Sequence, residues 1–253
     1  MSRRFPRAVR GGVGFLTRLP VSFDERDWEA LQRTPAAFPV VGYLAGVLVA
    51  LPLLAAARVP DPTVGFAYVL AVYLVTGIHH VDGVADLGDA FVVHGDANRR
   101  REVLKDTTTG VGAVLAVGLV LVGLGLAGLG LAALPVATAV GVVIAAEVGS
   151  RVGMAAMACF GRASHEGMGS RFTEAATPAA FVAPAALAVP AAVLTWPHGA
   201  AAVALVAGLA GAGLPWLWAT RNLGGINGDV FGAATEVGRV VGVHAGVIVW
   251  TLS

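Results

Sequence analysis

Apolar residues dominate the chain in long uninterrupted runs, and polar residues cluster between them. Residues 38–57 carry no charge, and about 20 apolar residues suffice for a helix to cross a bilayer. Residues 62–78 form a second such run, which continues directly into His79 and His80. Residues 110–146 are uncharged for 37 positions. That is too long for one crossing, and Leu134-Pro135 divides the run into a third and a fourth span. Residues 175–197 and 199–220 supply a fifth and a sixth, and residues 240–253 a short seventh. Val59-Pro60 and Trp196-Pro197 read as turns between helices. The pattern predicts an all-α fold, a polytopic transmembrane helical bundle of six to seven spans over residues 38–253, within a single integral membrane domain, 1–253.

Residues 1–37 follow a different pattern. Phe5, Val9, Val13, Leu16 and Leu19 recur at spacings of three and four with arginines between them, which predicts an amphipathic helix lying on a membrane surface. The cations then set an orientation. Residues 1–37 hold seven arginines. Residues 90–109 hold Arg99, Arg100, Arg101 and Lys105, residues 159–178 hold Arg162 and Arg171, and residues 221–239 hold Arg221 and Arg239. The alternate connections hold only Arg58. The positive-inside rule places the N-terminus and every long polar segment on the cytoplasmic side of a multi-pass protein of the cell membrane.

Composition narrows the classes further. The chain is 57% hydrophobic and 13% charged, against about 25% charged in soluble domains, and its mean hydropathy is +0.77. A net charge of +1 excludes the basic field of a nucleic-acid partner. The single cysteine, Cys159, excludes an internal disulfide framework. Small residues concentrated at 118–130 permit close helix approach within or between subunits, so a homo-oligomer is open to it, and membrane lipid is an expected partner.

Candidate chemistry centres on residues 79–90. His79, Asp82, Asp86 and Asp89 are spaced three, four and three apart, so on an α-helix they fall within roughly an 80° arc. Three carboxylates on one stripe repel each other where water is scarce. A divalent cation with a preference for oxygen ligands, Mg²⁺ or Mn²⁺, removes the conflict. The bland alternative is a solvated helix end, but a stripe that continues a membrane span favours function.

Three further segments add to this stripe. Lys105, Asp106, three threonines and Gly110 open the third span as a candidate phosphate cradle, with Asp106 a further metal ligand or base; an ordinary helix cap is the alternative. In the segment 224–236, Asp229 and Glu236 are seven apart and share a face if the segment is helical, while Asn227 or Asp229 could equally cap a turn. Glu147 and Arg151, four apart in span four, form an intrahelical pair unless Arg151 reaches a phosphate. Arg162, His165 and Glu166 fall in a polar loop. Acids and cations gathered at span ends on one face suit metal-assisted phosphoryl transfer. An ion transporter would instead carry acids at mid-span.

These residues also carry a resemblance. His79, Asp82, Gly83, Asp86 and Asp89 match the His-x-x-Asp-Gly-x-x-Asp-x-x-Asp pattern of the cobalamin synthase family, the adenosylcobinamide-GDP ribazoletransferases. Residues 15–21 (FLTRLPV), the Phe38-Pro39 opening with Gly42 and Gly46, Ser150-Arg151, Arg162 with Gly167-Met168-Gly169, and the Gly224–Glu236 segment match in the family's order. Lys105-Asp106-Thr107 followed by Gly110-x-Gly112 departs from the family's Gly-x-x-Gly spacing, and Asn227 stands where Thr is common. The resemblance implies Mg²⁺-dependent transfer of cobinamide phosphate from adenosylcobinamide-GDP to the 3′-hydroxyl of α-ribazole or its 5′-phosphate, with release of GMP. It implies that Asp82 and Asp86 hold Mg²⁺ and that Asp89 completes the metal site or takes the hydroxyl proton, with His79 beside them. Asp106 or Asp229 would hold a second ion, and Lys105, Arg151 and Arg162 would neutralise phosphate. Asn227, Asp229 and Glu236 belong to the substrate-binding set. A CDP-alcohol-type phosphotransferase acting on another activated alcohol, and a corrinoid or ion transporter, are the alternatives.

Overall fold

The structure, a computed structural model, describes residues 4–106 and 108–253. Among the described residues it is helical throughout, without a strand. The helices in chain order are α1 (Arg4–Leu16), α2 (Glu25–Gln32), α3 (Ala37–Val49), α4 (Asp61–Thr76), α5 (His79–Val92), α6 (Ala97–Val103), α7 (Val111–Ala132), α8 (Val136–Phe160), α9 (Met168–Ala175), α10 (Val182–Ala192), α11 (Ala200–Asn222) and α12 (Gly228–Leu252). A 3₁₀ turn at Leu51–Ala55 extends α3, and another at Pro178–Phe181 precedes α10.

Five segments are long and apolar enough to cross a membrane: Ala37–Ala55, α7, α8, α11 and α12. Two further pairs are sharply bent, α4 with α5 by 98° and α9 with Pro178–Ala192 by 93°. Counting each pair as one span brings the total to seven. The polytopic bundle expected from the apolar runs is therefore present, with four adjustments.

First, the acidic stripe does not prolong the second span. Gly77, at φ 73°, ends α4 in the left-handed region that an L side chain resists. α5 then turns across the bundle. Second, residues 175–197 do not form one long helix, because Pro178 opens a separate turn and α10 is only 11 residues long. Third, the last span is not the short segment 240–253 but the 25-residue α12. Fourth, span four, which by sequence already carries Glu147 and Arg151, runs on to Phe160.

The last two adjustments share one physical cause. Charge-free runs underestimate a span when its charges pair inside the protein. Glu147, Arg151, Glu236 and Arg239 are all completely buried. Arg239 donates from Nη1 to Glu236 Oε1 at 2.6 Å and from Nε to Glu147, while Arg151 Nη1 donates to Thr235 Oγ1 at 2.9 Å. Two carboxylates thus face two guanidiniums, and the cluster is close to neutral. Glu147 draws chiefly on Arg239 of α12, whereas Arg151 Nη2 stands 3.9 Å away.

α8 is the central helix, with 94% of its apolar window buried, flanked by α3, α11 and α12. Small residues set the spacing, as membrane helices require. Gly42 and Gly46 of α3 meet the α8 backbone at Val148 and Ile144. Gly238, Gly242 and Gly246 of α12 meet α11 and α8. Gly123 and Gly130 of α7 meet Val240 and Val247 of α12, so α7 and α12 run parallel with their N-termini at the same end.

α1 forms where the N-terminal periodicity predicts a helix. Its small face packs on protein: Gly11 lies against the Asp27 backbone of α2, and Gly12 against Val41 of α3. α2 begins with a capping box in which Asp24 and Asp27 exchange side-chain and backbone hydrogen bonds.

Candidate active site

α5 lies across the N-termini of α7 and α12, and two glycines let it approach. A Cβ on Gly83 would stand 2.5 Å from the carbonyl oxygen of Asp229, and one on Gly88 would stand 2.6 Å from that of Gly112. Because α5 crosses the helix ends, its acids face outward at one end of the bundle, where the positive poles of two long helices also emerge.

Asp82, Asp86 and Asp89 line a single cavity of about 310 Å³, whose opposite wall is Lys105, Asp106, Thr108 and Thr109. The spacing of three and four thus places these residues on one surface, as the stripe predicts. Burial, reinforced by the negative charges of Asp229, Asp82 and Asp89, pushes the Asp86 carboxyl up to about 6. Negative charge is therefore in excess here, the condition a cation relieves. Among the described residues, no group of three or more His, Cys, Asp or Glu is arranged to hold a metal unaided. Thr107, part of the expected phosphate cradle, lies outside the described residues.

The three aspartates differ in what they already bind. Asp89 Oδ2 accepts from Gly110 N at 2.7 Å and Oδ1 from Ala113 N at 2.9 Å. Gly110 is the N-cap of α7 and has no side chain to cap it with, so Asp89 supplies the acceptor from a different helix. Asp82 is exposed and Asp86 half-buried. Asp106 accepts from Thr108 N at 3.0 Å, turning the segment that precedes α7.

A second cavity of about 440 Å³ lies on the other side of Asp82. His79 and His80 of α5, Asp229, Phe231 and Gly232 of α12, Phe15 and Phe23 of the N-terminal segment, Met154 of α8 and Met168 of α9 line it. Asp82 borders both cavities. Asn227 caps α12 by accepting from Val230 N at 3.1 Å, and its Nδ2 donates to Asp229 Oδ2 at 2.7 Å, which fixes that carboxylate at the cavity wall. The loop that follows α8 docks on this cap: Ser164 N donates to the Ile226 carbonyl at 2.9 Å, and Ile226 N to the Arg162 carbonyl at 2.8 Å. The Arg162 side chain is exposed.

Arg151 and Glu236 lie elsewhere. The charged network of α8 and α12 holds them in the core, and neither lines the two cavities. They border the site through His80, whose Nδ1 is 3.9 Å from Glu236 Oε1, and through Met154, whose Sδ accepts from Arg151 Nη1 at 3.7 Å. The apolar periodicity concealed two contributors, the cavity wall formed by Phe15, Phe23, Met154 and Met168, and Arg239 as the partner of both buried glutamates. A basic residue three positions after Glu236 was the available signal for the latter.

Fold and site together define a polytopic helical membrane protein with a carboxylate-rich cleft at one end of its bundle. The family model for cobalamin-5-phosphate synthase matches residues 8–247, and the chain belongs to that family. It is 52% identical to an adenosylcobinamide-GDP ribazoletransferase of Halorubrum lacusprofundi, covering 96% of this chain and 98% of the relative. It is 60% identical to one of Halobacterium salinarum over 78% of this chain and 99% of the relative. A relative with the same description from Pyrobaculum islandicum is 34% identical over 93% of this chain and 92% of its own length. No solved structure matches the chain.

Proposed function

We propose that this protein transfers the cobinamide phosphate of adenosylcobinamide-GDP to the 3′-hydroxyl of α-ribazole or its 5′-phosphate, releasing GMP, at the cytoplasmic face of the cell membrane. Full-length similarity to relatives of that description supports the substrates. The observation that carries the chemistry is the position of Asp82 between an acid-and-lysine cavity and a largely apolar one. One side can take a diphosphate and the other the apolar base of the acceptor, so the two reactants would meet at that carboxylate.

Asp82 and Asp86 fit a Mg²⁺ ion. They stand one turn apart in an open cavity with excess negative charge, and Mg²⁺ is commonly held by one or two carboxylates with substrate phosphates completing its shell. When bound, the ion neutralises charge on the diphosphate. Lys105 on the facing wall adds a second positive charge, while Asp89 holds α7 in register through its capping bonds. Asp229, oriented by Asn227, is the carboxylate set to accept the 3′-hydroxyl proton. The ribose oxygen then bonds to the cobinamide-side phosphorus as the bond from that phosphorus to the GMP oxygen breaks. Arg151 and Glu236 contribute by fixing α8 against α12.

The test is release of GMP from adenosylcobinamide-GDP by the detergent-solubilised protein, dependent on both α-ribazole and Mg²⁺. Release without α-ribazole, or corrinoid flux across proteoliposomes without release, would sink the proposal.

A further inference from the structure

Resting on the transfer proposed above, we infer that the cavity beyond Asp82 is the acceptor site and that its aromatic and methionine wall selects the benzimidazole base of α-ribazole. The cavity measures about 440 Å³, within the range of about 300–1,000 Å³ typical for small-molecule sites. A bicyclic base with its ribose is of that scale, whereas a corrin macrocycle with its amide arms is not.

The wall has the chemistry of such a base. Phe15, Phe23 and Phe231 offer ring faces and edges, Met154 and Met168 offer polarisable thioethers, and Gly232 lets α12 pack closely on the His80 backbone. No Lys or Arg is among the described residues lining this cavity, so it provides nothing to match a diphosphate, unlike its neighbour with Lys105. His80 also lines the cavity, while its buried Nδ1 faces Glu236 Oε1 at 3.9 Å, so the ring is anchored toward the charged core.

The wall is also held firmly. Phe231 packs on Phe172 at 5.5 Å, Phe172 on Trp28 at 5.5 Å, and Trp28 on Phe15 at 4.7 Å. This chain of rings ties α1, α2, α9 and α12 together around the cavity. A base seated here directs its ribose toward Asp82 and Asp229, the only carboxylates among the described lining residues.

Phe23 and Met168 are 39% and 41% exposed, so truncating them leaves the core intact. In detergent with saturating Mg²⁺, GMP release would be measured for the wild type, Phe23→Ala and Met168→Ala while each substrate is varied in turn. The expected result is a rise in KM for α-ribazole of about fivefold to tenfold, the loss of one good aromatic or thioether contact, with KM for adenosylcobinamide-GDP unchanged. A rise confined to adenosylcobinamide-GDP would make this the guanosine or corrin site and overturn the inference while leaving the transfer reaction standing. No change in either KM for both variants would overturn it too. If the wild type releases no GMP, the transfer reading fails, and calorimetric binding of α-ribazole alone then decides. Binding weakened in both variants sustains an aromatic-base site, and absence of binding refutes it.

Discussion

Gly83 of α5 lies directly against the backbone of Asp229 at the start of α12, so close that a Cβ on Gly83 would be 2.9 Å from the Asp229 Cα. This contact joins two acidic segments that are distant in sequence. It determines how far Asp82 and Asp86 stand from Asp229, and therefore how the two cavities share a wall.

Replacing Gly83 with Ala should disturb that wall before anything else. Forcing a methyl group into a packed contact costs about 1–3 kcal/mol, and misplacing reacting groups by about 1 Å can cost around 100-fold in rate. Gly83→Ala is expected to lower the unfolding temperature in detergent modestly and GMP release by more than about tenfold. Wild-type values of both would show that the close approach is unimportant.

The metal assignment predicts that Asp82→Ala and Asp86→Ala abolish transfer while the protein still inserts and unfolds cooperatively. Either variant retaining near-normal turnover at saturating Mg²⁺ would remove that carboxylate from the ion's shell.

Asp89 separates capping from catalysis. Its two bonds to the N-terminus of α7 predict that Asp89→Ala costs about 1 kcal/mol of stability. Turnover measured below the transition should fall by less than about tenfold, with an unchanged Mg²⁺ requirement. A loss of turnover as complete as that of Asp82→Ala would give Asp89 a direct part in the chemistry.

Arg239 is the partner of both buried glutamates. Arg239→Met leaves Glu236 without a guanidinium partner and Glu147 with Arg151 at 3.9 Å, and breaking a buried pair costs about 3–5 kcal/mol. Thermal unfolding in detergent should show a large loss, partly restored by adding Glu236→Gln. An unaltered transition would mean that the network carries no stability.

Orientation can be read with a thiol. Asn98 is exposed on α6, near the acidic cavity, while native Cys159 is buried. Asn98→Cys should react with a membrane-impermeant maleimide only after the cytoplasmic side is opened. Labelling of intact cells would reverse the proposed topology.

The sequence alone determined the class of the protein and the surface on which its acids stand. Apolar runs of bilayer length are a local property, as is the 3-4-3 spacing that aligns His79, Asp82, Asp86 and Asp89 on a helix. Both could be read without any knowledge of what packs against them. The grouping of Lys105, Asp106 and the neighbouring threonines near the acids followed from where the spans begin and end. Charge-free runs misplaced α12 because its charges are matched internally, and they merged residues 175–197 because Pro178 breaks that run without a charge.

Only the tertiary structure decided the rest. The break at Gly77 turned α5 across the bundle, because a left-handed residue ends one helix and frees the direction of the next. Asp89 became a cap because the N-terminus of α7 has no side-chain acceptor of its own and arrives within hydrogen-bonding distance. Arg151 and Glu236, which sit among the family's matching residues, were drawn into a buried network because a charge in an apolar core is tolerable only beside its opposite. The Phe and Met wall beyond Asp82 is assembled from the N-terminal segment, α8, α9 and α12, and their individual patterns do not show that they meet. Spacing along a helix encodes which side chains share its face. What lies opposite that face is settled by long-range packing, and here that packing places Asp82 between two cavities of different chemistry.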